Sequence, residues 1–153
     1  MARLDDLIAP VRDWSPSADD IQKLKEASRL NPSDPGGARA ARAQIKDPAT
    51  RKLADWIAYR GGIGEAAEIM AFANANPHWP DLNLLVRRAE EQLFASGGSA
   101  QRIKDFFKGG EPRTGAGYAA LASALLAEGK EAEAKALAAK AWRELEMAAN
   151  LEA

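Results

Sequence analysis

The chain contains no cysteine and a single histidine. Disulfides and thiolate metal sites are thereby excluded, and a histidine-based metal cluster or a histidine-driven catalytic triad has too few parts. Aromatic residues make up only 7% of the sequence, so a core cannot be built from large rings. No apolar run approaches the roughly 20 residues that span a bilayer. The first residues, Met1-Ala2-Arg3-Leu4-Asp5-Asp6, lack the apolar centre of an export signal. Either the protein is not exported, or its signal lies outside this sequence. An excess of one charge is missing too: 21 basic and 22 acidic side chains leave a formal net charge of −1. That balance gives no overall drive toward nucleic acid or an anionic membrane. Strand signals are also absent, because no alternating Val/Ile/Thr/Tyr run is bounded by a tight two-residue turn.

What the sequence does have is alanine, within an apolar fraction of 46% over 153 residues. That length suits one domain of ordinary size. Alanine buries little area, so its core must be thin, with helices lying close together. Helix signals are abundant. Ser17 precedes Ile21, Leu24 and Ala27, with Asp20 three residues on as a weak capping box, and the spacing predicts a helix over 18–30. Asn31 to Gly37 reads as a loop and 38–45 as a helix. Asp47-Pro48 is a strong start, an Asp N-cap followed by Pro at the first helical position. The helix that follows stops at Gly61-Gly62. Residues 65–74 make the next helix, with Ala66, Ile69, Met70 and Ala73 on one face. Two prolines in Asn76-Pro77-His78-Trp79-Pro80 forbid its continuation. Residues 81–95 follow, with Leu82, Leu85, Ala89 and Leu93 inward. After Gly97-Gly98, Ser99 caps a short helix. Residues 108–117 form a polar loop, and helices over 118–128 and 131–146 meet at Gly129-Lys130.

The chain also repeats itself. Laying the segment from Leu53 over that from Leu121 superposes Gly61 on Gly129, Glu65 on Glu133, Ala66 on Ala134 and Ala73 on Ala141. The offset is about twice the roughly 34-residue period of tetratricopeptide helix pairs. Residues 47–146 therefore read as three helix–Gly turn–helix units. Residues 1–46 read as irregular N-terminal helices, with Leu7, Ile8 and Val11 as a short apolar stretch, and 147–153 as a tail. The expected fold class is all-α, a right-handed superhelical array of antiparallel helix pairs.

Three segments then point to a family. They are Ile45-Lys46-Asp47-Pro48 through Trp56 with Tyr59-Arg60, the Asn76-Pro77-His78-Trp79-Pro80 loop with the following Leu84 to Glu91, and Ala119 to Glu144 with its Gly129 turn. Together they resemble the α-superhelical part of soluble lytic transglycosylases, bacterial periplasmic enzymes that cut peptidoglycan. The resemblance covers about 40–146 well and the earlier part loosely. It implies a periplasmic location and a separate lysozyme-like domain, in which a Glu of a Glu-Ser pair protonates the bond between N-acetylmuramic acid and N-acetylglucosamine. The muramic 6-hydroxyl then closes to a 1,6-anhydro product. No glutamate here precedes a serine, so no catalytic residue carries over. The chain is expected to be the helical section of such an enzyme, or a relative without the catalytic part. The alternative is a free-standing tetratricopeptide-like adaptor with a protein or peptide in its concave groove.

Candidate residues follow from these readings. Arg39, Arg42 and Lys46 lie three and four apart, so one helix can present all three. With Arg51, Lys52 and Arg60 they form a basic stretch, which can hold an anionic cell-wall polymer or be ordinary charged surface. Trp56 and Tyr59 are spaced for a sugar platform or for core packing, and packing is the expectation. Trp79 is expected to wedge between helix pairs, and Trp142 to close the array. His78 has no acidic partner at ligand spacing. Glu90 and Glu91, as helix neighbours, point about 100° apart and are expected on a solvated face. No residue is assigned to catalysis, to a cofactor or to a metal.

Overall fold

A computed structural model describes residues 14–31 and 33–151, with side chains as far as Arg143. The apolar stretch of Leu7, Ile8 and Val11 lies outside the described residues. Those described form eight α-helices and no strand: α1 (Ala18–Leu30), α2 (Pro35–Ala43), α3 (Pro48–Arg60), α4 (Ala66–Ala75), α5 (Leu82–Ser96), α6 (Ala100–Phe106), α7 (Gly115–Ala127) and α8 (Glu131–Leu151). The all-α expectation holds. No described helix is long and apolar enough to cross a membrane. The chain divides into two compact units between Ala58 and Tyr59, within the last turn of α3.

In the first unit α2 folds back along α1. Both helices start from side-chain caps. The Ser17 hydroxyl accepts from the Asp20 N–H at 3.0 Å, and the Asp34 carboxylate accepts from the Gly37 N–H at 2.9 Å. Pro35 then occupies the first turn of α2. The sequence places a loop through Gly37, but the helix begins at Pro35. The reason is an Asp-Pro start of the same kind as Asp47-Pro48, masked by two glycines. A Cβ at Gly37 would collide with the Asp34 carboxylate, so the small residue makes room for the cap. At α3 the Asp47 carboxylate accepts from the Thr50 N–H at 2.7 Å and from its hydroxyl at 2.6 Å, as the motif requires.

In the second unit Ala66, Leu93, Ile103, Ala120 and Ala124 form a buried cluster flanked by Phe106, Phe107 and Leu121. More than half of the buried apolar residues described in the chain are alanines, which lets helix axes approach closely. The sequence of α7, Gly-Ala-Gly-Tyr-Ala-Ala-Leu-Ala-Ser-Ala-Leu-Leu-Ala, is apolar on every side. Such a helix is stable only with neighbours around it, and α7 packs against α5, α6 and α8. The helix ends fall at Gly62, Gly97 and Gly129, with φ of 76°, 63° and 75°. Helix α8 continues to Leu151, past the expected end at 146. Trp142 is 69% exposed rather than packed.

Candidate functional site

The proposed basic face does not form as the spacing implies. Arg39 and Lys46 are exposed, but Arg42 is only 5% exposed. Its Nε donates to Asp55 Oδ1 at 3.1 Å and a terminal nitrogen donates to Asn31 Oδ1 at 3.4 Å. Arg42 therefore ties α2 to α3 and to the end of α1. The helix also stops at Ala43, so Lys46 is not on it. Arg51 is engaged as well, donating to the Ala43 carbonyl at 2.9 Å, where it caps the end of α2. The correction has one physical cause: spacing assigns residues to a face but does not say which face meets an acidic partner 13 residues away.

Two buried carboxylates come from elsewhere. Asp20 on α1 is 4% exposed. It accepts from the Lys46 N–H at 2.7 Å, the Asp47 N–H at 3.3 Å and the Ser17 hydroxyl at 2.9 Å. It thus closes the approach to α3 rather than completing a capping box at its own helix. The Lys46 N–H above all, then the Ser17 hydroxyl and the Asp47 N–H, hold its carboxyl below the usual aspartate range, against desolvation and the nearby Asp47 charge. Asp47 is lowered too, chiefly by the Thr50 hydroxyl and N–H and then by the Trp14 indole. Trp14 Nε1 donates to Asp47 Oδ2 at 3.1 Å.

Glu90 on α5 does the same in the second unit. It is 1% exposed, contrary to the solvated face expected for it. It accepts from the Arg113 N–H at 2.9 Å, the Thr114 N–H at 2.8 Å and the Thr114 hydroxyl at 2.6 Å. Thr114 is the N-cap of α7, and its oxygen accepts from the Gly117 N–H at 3.1 Å. A negative charge therefore sits at the positive end of the α7 dipole. A Cβ at Gly117 would collide with the Glu90 carboxylate. Glu91 faces outward and pairs with Arg88 at 2.8 Å. The two glutamates diverge, as their helical spacing requires.

Tyr59, Phe72 and Trp79 pack against one another. Tyr59 is buried edge-to-face on Phe72, and Phe72 meets Trp79 in the same geometry, each pair with ring centroids 5.4 Å apart. Trp79 is half-buried, and its backbone N–H donates to the Asn76 carbonyl at 3.0 Å. Trp56 is half-buried, and His78 is exposed in its loop. No group of three His, Cys, Asp or Glu side chains among the described residues is placed to hold a metal ion.

One concavity in the second unit combines apolar walls with polar groups. It has a volume of about 390 Å³, with Met70, Leu82, Val86, Phe106 and Phe107 among its walls. Gly109, Gly110, Glu111 and Arg113 line it from the loop before α7, and Asn74 from the end of α4. Sequence reasoning missed this groove, because its walls belong to three helices and a loop that periodicity treats separately. Compared with protein-family models, with curated proteins and with solved structures, the chain matches none.

Proposed function

We propose that this chain is the non-catalytic helical scaffold region of a soluble lytic transglycosylase, acting in the periplasm on peptidoglycan through a lysozyme-like domain that the described residues do not contain. The observation that carries the reading is the use made of the segments behind the resemblance. Asp47 caps α3, Trp79 of the Asn-Pro-x-Trp-Pro loop meets Phe72 edge-to-face, and Glu90 anchors the start of α7. These are the tasks of a scaffold. A general acid, by contrast, needs a proton to give and a cleft in which to give it. The Glu90 carboxylate is filled instead by donors from its own chain. The finer arrangement proposed is a right-handed tetratricopeptide-like superhelix. Its support in the second unit is that each helix packs on near neighbours in sequence, α4 on α5, α5 and α6 on α7, and α7 on α8.

The test is digestion of purified cell-wall sacculi. The chain alone should release no 1,6-anhydro-muropeptides, and the same chain joined to a Glu-Ser-bearing domain in its native reading frame should release them. Release by the chain alone, or a native frame without such a domain, would overturn the proposal. A free-standing adaptor is the second reading, and the groove between α4, α5 and α6 favours it.

A further inference from the structure

We draw no further inference here: the strongest candidate, the outward face of α8 on which Ala132, Ala136 and Ala139 lie exposed with Trp142 beside them, is a row of small residues with one exposed ring, and nothing in the structure shows what covers it.

Discussion

Glu90 and Arg42 are charged residues at helical positions, and both turn inward. For each, what replaces the lost hydration is a set of fixed partners: N–H and hydroxyl donors for Glu90, and Asp55 with Asn31 for Arg42. Removing one partner then costs more than the interaction contributes, because the other group stays buried and unpaired. Glu90→Ala should destabilise the protein by about 2–4 kcal/mol, since hydrogen bonds to charged groups are worth roughly 1.5–3 kcal/mol. Urea titration followed by far-UV circular dichroism would measure it. A loss below about 0.5 kcal/mol, the scale of ordinary surface changes, would show that the cap at α7 is dispensable. Gly117→Ala makes a sharper test. Helix propensity alone favours Ala over Gly by about 1 kcal/mol, but the Cβ would collide with the Glu90 carboxylate. The expected outcome is a net loss of about 1–3 kcal/mol, the usual cost of overpacking. A gain in stability would mean that the carboxylate can move aside. For the arginine, Arg42→Glu should unfold α2 from α3, while Arg39→Glu and Lys46→Glu change stability by less than about 0.5 kcal/mol, as exposed substitutions do. Sequence spacing treats these three alike, and what separates them is the position of Asp55 and Asn31 and the end of α2 at Ala43.

Helix starts carry most of the local information in this chain. Ser17, Asp47 and Ser99 are recognisable as caps from sequence, since a short oxygen-bearing side chain before a helical run has one common use. All three accept the expected N–H, from Asp20, Thr50 and Arg102. Asp34-Pro35 carries the same signal and was hidden by Gly36-Gly37, because glycine is a turn residue by default. The help that a helix start receives from another helix is not legible at all. Asp20 reaches the approach to α3 from 26 residues away, and Glu90 reaches α7 from 24. This arrangement gives the first unit a dependence on acid. The folded-state values of Asp20 and Asp47 are both lowered. Their contribution is therefore present in full above the ordinary aspartate value of about 3.9, and is lost as pH falls below it toward the folded values. Thermal melts between pH 6 and 2.5 should show stability falling below about pH 4, with a smaller fall in Asp20→Asn. An equal fall in both proteins would assign the acid sensitivity to other groups. Trp79 belongs at this scale as well. It meets Phe72 edge-to-face but is half-buried. Trp79→Ala should cost about 1–3 kcal/mol, less than the 3–5 kcal/mol of a fully buried large aromatic.

Across the molecule, charge offers little to an anionic polymer. The net charge is −1, Arg42 is turned inward and Arg51 is held to a helix end. Exposed lysines and arginines act weakly, within a Debye length of about 8 Å at physiological salt. The chain should not pellet with purified sacculi at that ionic strength. Strong pelleting that Arg39→Glu with Lys46→Glu abolishes would restore the basic face as a binding surface. The sequence by itself determined that the protein is helical. Its alanines, its Asp and Ser caps, its paired glycines and its lack of strand patterns all act within a few residues of one another, and local sterics and hydrogen bonding enforce them whatever the fold. It also determined which stretch of each helix is apolar, hence that Leu85, Ala89 and Leu93 are buried together. Tertiary structure alone decided the inward turn of Arg42 and Glu90, the exposure of Trp142 and the existence of the groove at Arg113. Each depends on which side chain arrives from a distant helix. A charge is buried only where such partners stand ready, and a ring stays exposed where no neighbour among the described residues covers it.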